Sequence, residues 1–225
     1  MKTKRVNRCG GLTLVEAMIV VAILSVLVAM MLPQLTRRKH CSGGVSCGNN
    51  LKQVGLSFRQ WALDNNDKYP MQVSVTNGGA MEWARQGIAW PVFQVMSNEL
   101  STPKILFCPQ ETDTNRFVAL HFGSPGSQGA FTNNQSLSYF AGLDADETQP
   151  QMLLSGDSNL EIGGGRVRSG LVTLLTNRLV GWSAARHAHQ GNVALSDGSV
   201  RGFSNLQLRQ ALTNTGDAAN RIIIP

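Results

Sequence analysis

The chain has 225 residues, 42% hydrophobic, 15% charged and 6% aromatic, with a formal net charge of +6. That length allows one domain with a real core behind an N-terminal segment. The charge does not mark a nucleic-acid binder, because Lys2, Lys4, Arg5 and Arg8 lie in a leader without acids, a chain starting at Leu12 carries only +2, and no clustered basic face follows.

Behind the leader come Gly10 and Gly11, then Leu12-Thr13-Leu14-Val15-Glu16, then an uncharged run from Ala17 to Leu32 closed by Pro33. From Leu12 to Leu32 the segment has about 21 residues, close to the ~20 that a helix needs to cross a hydrocarbon core. Glu16 is its single charge. A carboxylate costs about 2.5–3.5 kcal/mol at the centre of a membrane helix, less near the interface, so an acid kept there reads as functional. A secretory signal has a shorter apolar core, about 7–15 residues, with small residues after it. Here the small residues precede the run, and Met30-Met31-Leu32-Pro33 is a poor cleavage site. A plain membrane anchor explains neither the glycine pair nor the acid. The basic leader favours a cytoplasmic N-terminus and sends everything beyond Pro33 outward.

The string Gly-Leu-Thr-Leu-Val-Glu followed by an apolar helix resembles the type IV prepilin signal, shared by pilins and by the pseudopilins of type II secretion. Leu12 stands where that family usually has Phe. The resemblance implies cleavage by prepilin peptidase between Gly11 and Leu12, N-methylation of Leu12, and an assembly role for Glu16 as the fifth mature residue. Glu16 would neutralise the new α-amino group of a neighbouring subunit when the helices bundle, and a helix N-terminus tolerates a carboxylate through its dipole.

After Pro33, Arg37, Arg38, Lys39 and His40 form a basic patch suited to lipid headgroups, and Cys41–Gly48 reads as a helix break with a flexible joint. A second helix follows over about 49–64, capped by Asn49 or Asn50, with Leu51, Val54, Phe58 and Trp61 on one stripe that packs on a sheet. The helix stops at Asp64-Asn65-Asn66-Asp67, an acid-rich turn that could bind calcium through oxygen ligands but reads more simply as a polar turn. Cys9 falls in the leader. Cys41, Cys47 and Cys108 remain, and in an oxidising compartment one disulfide with one leftover thiol is expected, either Cys47–Cys108, which is favoured, or Cys41–Cys47. Zinc is disfavoured because no second close cysteine pair accompanies Cys41 and Cys47.

The stretch from Cys47 to Leu56, closing at Asp-Asn-Asn-Asp-Lys-Tyr-Pro, is similar to a large pilin-like group typical of planctomycete- and verrucomicrobia-type bacteria. The Gly43-Gly44 insertion departs from that group's smooth helix. Further on, Trp83, Trp90 and Phe93 read as core or cap aromatics, with a short helix from Trp90 through Leu100. Lys104–Cys108 reads as a strand entering a turn, and 110–136 as mostly loop. Ser138–Phe140 and Met152–Ser155 read as strands, Gly163–Gly165 as a turn without P-loop features, and Leu171–Leu175 as a short apolar segment. Asp197-Gly198 between Val193/Leu195 and Val200 is a hairpin signal. His187, nine intervening residues and Asp197-Gly198 also resemble the His-x9-Asp-Gly signature of the same group, and 204–225 reads as a polar tail.

His187, His189, Asp157 and Asp197 could form a metal centre, since His-x-His on an extended segment places two rings on one side. A hydrolase would need Ser155 or Ser196 beside His187, and neither has a glycine-flanked elbow. Structural bracing of the hairpin is the favoured reading, so no enzyme is expected.

The sequence therefore predicts an α+β pilin-like protein: leader 1–11, transmembrane and assembly helix 12–33, and an extracytoplasmic domain 34–225 in which the long N-terminal helix packs on an antiparallel sheet. The resemblance implies a single-pass protein of the inner membrane, N-terminus cytoplasmic. Its partners would be prepilin peptidase, other pilin or pseudopilin subunits, an inner-membrane assembly platform and lipid, with no nucleic acid. No cofactor is expected beyond the calcium reading. The second reading is a membrane-tethered extracytoplasmic binding module that borrows the prepilin export route.

Overall fold

A computed structural model describes residues 14–124 and 126–225, with the backbone alone over 29–44. The chain divides into two units, residues up to Cys41 and Ser42–Pro225.

Helix α1 runs Leu14–Leu63 without interruption. This corrects the expected joint at 41–48 and the separate second helix at about 49–64: Pro33 and the Gly43-Gly44 pair lie inside one helix. Glycine in a helix interior costs only about 1 kcal/mol and proline about 3. Packing of the stripe Cys47, Leu51, Val54, Phe58, Trp61 and Ala62, all in the core, favours helix up to the edge of the glycine segment. The helix ends where Asn66 and Asp67 turn left-handed, both at φ 57°, with the Asp67 N–H reaching the Ala62 carbonyl at 2.9 Å.

Short helices α2 (Met81–Arg85), α3 (Trp90–Gln94) and α4 (Ser97–Leu100) follow. They close over the α1 stripe through Val92, Phe93, Met96 and Leu100, and Phe58 meets Tyr69 and Phe93 edge-on at centroid distances of 5.9 and 5.7 Å. Trp90 is half-buried, whereas Trp83 is exposed. Residues Pro103–Leu106 form a 3-10 turn rather than the expected strand. Pro103 fixes the first helical φ, and the Thr102 hydroxyl caps the Lys104 N–H.

The strands are β1 Tyr139–Gly142, β2 Leu153–Asp157, β3 Leu160–Ile162, β4 Gly165–Arg166, β5 Gly170–Leu175, β6 Val180–Trp182, β7 Gln190–Leu195, β8 Val200–Ser204 and β9 Ala219–Ile224. Six of them make an antiparallel sheet in the order β5-β9-β1-β2-β7-β8, and β4-β3-β6 make a small second sheet. Helix α5, Asn205–Asn214, starts from a capping box in which the Ser204 hydroxyl and the Gln207 side chain bond reciprocally.

Alternation along the strands sorts side chains to two faces. Tyr139, Ala141, Leu154 and Ile223 join α1 in one cluster, while Phe140, Leu153, Ile222 and Ile224 join Leu174, Trp182, Leu208 and Leu212 in the other. The sheet is thus covered on both faces, by α1 on one and by α5 with the small sheet on the other. The segment 204–225, expected as a polar tail, is instead a helix and an interior strand, β9, which pairs with both β1 and β5. Helix α1 lies close along β7: a Cβ on Gly48 would meet Asn192 at 3.6 Å, and one on Gly55 would meet Ala194 at 3.7 Å.

Candidate functional site

The N-terminal signal is seen only in part. Gly11 and Leu12, the expected cleavage and methylation positions, lie outside the described residues, as does the leader. Glu16 lies in the first turn of α1 and is exposed, like its apolar neighbours from Leu14 to Val28. Among the described residues no helix is long and apolar enough to cross a membrane. The expected span 12–33 reaches beyond them, because residues 12 and 13 and the side chains of 29–33 are not included, nor are the side chains of Arg37–Cys41.

A second cluster forms inside the Ser42–Pro225 unit. Cys47 on α1 and Cys108 after the 3-10 turn lie 5.6 Å apart at Cα and are joined as a disulfide. His187 brings Nε2 to 3.4 Å from Cys108 Sγ and to 3.5 Å from Asp157 Oδ2. Asp157, at the end of β2, is fully buried, and its Oδ2 accepts two hydrogen bonds from Asn192, from the backbone N–H at 2.7 Å and from Nδ2 at 3.0 Å. Its other oxygen, Oδ1, has no hydrogen-bond partner among the described residues.

The turn that delivers His187 is unusual. His187, Ala188 and His189 hold φ of 54°, 49° and 62°, a conformation that costs L-residues about 1–2 kcal/mol each. Such strain persists only where the surroundings over-determine it. Asn159 Nδ2 donates to the Arg186 carbonyl at 3.1 Å and lies within 3.4 Å of those of Ser183 and Gln190. The buried Arg186 guanidinium pairs with Glu111 at 3.1 Å and donates to Ser158 Oγ at 2.7 Å. Arg116, also near Glu111, donates to the carbonyls of Leu137 and Pro225. Burial pulls its guanidinium below its ordinary value, against the opposing pull of Glu111.

The other candidates lie elsewhere. His189 directs Nδ1 to the Trp182 carbonyl at 3.1 Å. Asp197 accepts the Ser199 N–H at 2.8 Å and Gly198 takes φ 82° in the β7–β8 turn. Ser155 Oγ donates to the Phe140 carbonyl at 2.8 Å, and Ser196 lies by the same β7–β8 turn, its carbonyl accepting from the Tyr69 hydroxyl at 3.1 Å; neither arrangement supplies a nucleophile beside His187. Asp64 and Asp67 are exposed. Among the described residues the grouped metal-capable side chains are Cys47, Cys108, Asp157 and His187, with ligand atoms all within 4.8 Å of one another. The four-residue metal set read from sequence therefore splits: His187 and Asp157 stay together, His189 and Asp197 leave, and the two cysteines join.

The nine-residue spacing from His187 to Asp197 has a structural account. It carries β7 from the disulfide, which touches His187, to the far turn, where Arg59 Nη1 donates to the Asp197 carbonyl at 3.3 Å. Cys47 and Arg59 lie about 18 Å apart along the helix at 1.5 Å per residue. The six residues of β7 cover about 20 Å. The strand is thus fastened to α1 at both ends, with Gly48 and Gly55 allowing close approach between.

Residues 6–32 match the family model described as the prokaryotic N-terminal methylation motif. The chain therefore carries a prepilin-type signal. No curated protein and no solved structure matches the chain.

Proposed function

We propose that the chain is a prepilin-like subunit whose work is assembly, not chemistry. Prepilin peptidase cuts between Gly11 and Leu12, Leu12 is N-methylated, and residues 12–33 hold the protein in the inner membrane with the remainder outside. Other pilin subunits and an inner-membrane platform then draw it through its helix into a type II secretion-like pseudopilus, the preferred form, or a type IV pilus-like filament. The match to the methylation motif over residues 6–32 carries this reading.

Intact mass and N-terminal sequencing of the protein from its native membrane test it. A mature chain beginning at N-methylated Leu12 is expected. A chain still starting at Met1 would reduce the protein to a tethered domain. Fractionation then separates the two filament types: a pseudopilin stays with the envelope, and a pilin appears in extracellular fibres.

A further inference from the structure

A disulfide between Cys47 and Cys108 needs neither an imidazole nor a carboxylate beside it, yet both are there. Asp157 is a fully buried acid with Oδ1 unpartnered among the described residues. Burying an unsatisfied carboxylate oxygen is unfavourable, and a bound cation is one group that would offset that cost. His187 reaches the other oxygen of the same carboxylate, its Nε2 3.5 Å from Oδ2, from three consecutive left-handed residues. We propose that, with Cys47 and Cys108 in the dithiol state, these cysteines, His187 and Asp157 form a four-ligand zinc site, and that the metal and the disulfide are alternative states of one locus.

The geometry fits. Zn–S of about 2.3 Å and Zn–N or Zn–O of about 2.0–2.1 Å in a tetrahedron place neighbouring ligand atoms roughly 3.3–3.8 Å apart. His187 Nε2 lies 3.4 Å from Cys108 Sγ and 3.5 Å from Asp157 Oδ2, and all four ligand atoms fall within 4.8 Å of one another. Two thiolates with an imidazole select zinc over calcium or magnesium. Binding releases the two thiol protons. Closing the disulfide removes two electrons from the thiolates, passed to a thiol-oxidising protein disulfide that takes up two protons from solvent and becomes a dithiol, and the metal leaves with its sulfur ligands gone. In the sequence zinc is disfavoured because no second close cysteine pair accompanies Cys41 and Cys47; here Cys47 is joined instead by Cys108, by Asp157 from β2 and by His187 from the turn before β7.

The test uses the full chain in detergent micelles, with Cys9→Ser and Cys41→Ser to remove other thiols. A phosphine reduces the disulfide, becoming phosphine oxide with oxygen from water and leaving two thiols. Anaerobic Co2+ titration should show a single ion per chain, with thiolate-to-cobalt charge-transfer and tetrahedral d–d bands that Zn2+ displaces, and no such bands in the oxidised chain. Asp157→Asn and His187→Ala should each weaken binding about tenfold or more, and His187→Gln repeats the comparison with a side chain that preserves hydrogen bonding. The proposal is overturned if the reduced chain shows no thiolate–cobalt bands, or if the variants bind as tightly as the parent. Circular dichroism of the same samples covers loss of fold. If reduction or a variant unfolds the chain, refolding of the reduced parent by Zn2+ supports the site, and failure to refold it counts against the site.

Discussion

Asn192 meets Asp157 twice, its backbone N–H at 2.7 Å and its side-chain Nδ2 at 3.0 Å converging on the same carboxylate oxygen. The bonds tie the start of β7 to the end of β2 and hold a buried charge in place. Asn192→Leu removes one charge-assisted bond from an acid that water cannot reach, and the expected loss is about 1.5–3 kcal/mol. Urea unfolding of the full chain in detergent measures it. A change under about 0.5 kcal/mol would show that the side-chain bond contributes little.

Gly142 lies in β1, where an added Cβ would overlap the backbone carbonyl oxygen of Leu153. Gly142→Ala should therefore cost about 3 kcal/mol or more, because backbone cannot step aside as a flexible side chain does. Gly163, at φ 61° with open space around it, is a contrast: Gly163→Ala should cost only about 1–2 kcal/mol of left-handed strain. Thermal midpoints of both variants give the ranking, and equal losses would refute it.

Ile223 is fully buried between β1 and β5. Ile223→Ala should destabilise by about 2–5 kcal/mol, and a chain ending at Thr215 should fail to fold, since β9 is an interior strand. A native circular dichroism spectrum from the shortened chain would contradict this.

Asp146 accepts from the Thr148 hydroxyl at 2.6 Å, the Thr148 N–H at 2.8 Å and Gln72 Nε2 at 3.1 Å, which together hold its carboxyl below the ordinary range. Asp113 is held low as well, first by the Asn115 N–H at 3.0 Å. A carboxylate whose folded pKa is depressed stabilises above its unfolded value of about 3.9 and loses that contribution as pH falls through the folded one. Stability should thus decline below about pH 4. Asp146→Asn should flatten part of that decline, as read from urea midpoints at near-neutral and acid pH. An unchanged acid slope would remove Asp146 from the account.

Glu16→Ala should leave the chain in the membrane but abolish its incorporation into filaments, by the assembly role proposed for this acid. Membrane fractionation and filament preparations from the same cells measure the two separately. Normal incorporation of the variant would end that role for Glu16.

The sequence by itself determined the features that local chemistry encodes. The glycine pair, the acid and the apolar run from Leu12 need only be contiguous to form a prepilin-type signal. The stripe from Leu51 to Trp61 announces a helix with one buried face, and Asp197-Gly198 announces a turn because glycine accepts φ 82° there. Only the tertiary structure decided the rest. Ile222–Ile224 hide an interior strand because a strand covered on both faces shows no alternation. Glycine propensity reads Gly43-Gly44 as a break, yet a cost of about 1 kcal/mol per residue does not stop α1 from running through them. Cys47 and His187 lie 140 residues apart in the sequence, and no local pattern states that a strained turn carries the imidazole back to the disulfide. Long-range contacts of that kind are set by which faces the sheet must cover, and the chain fixes them only when it folds.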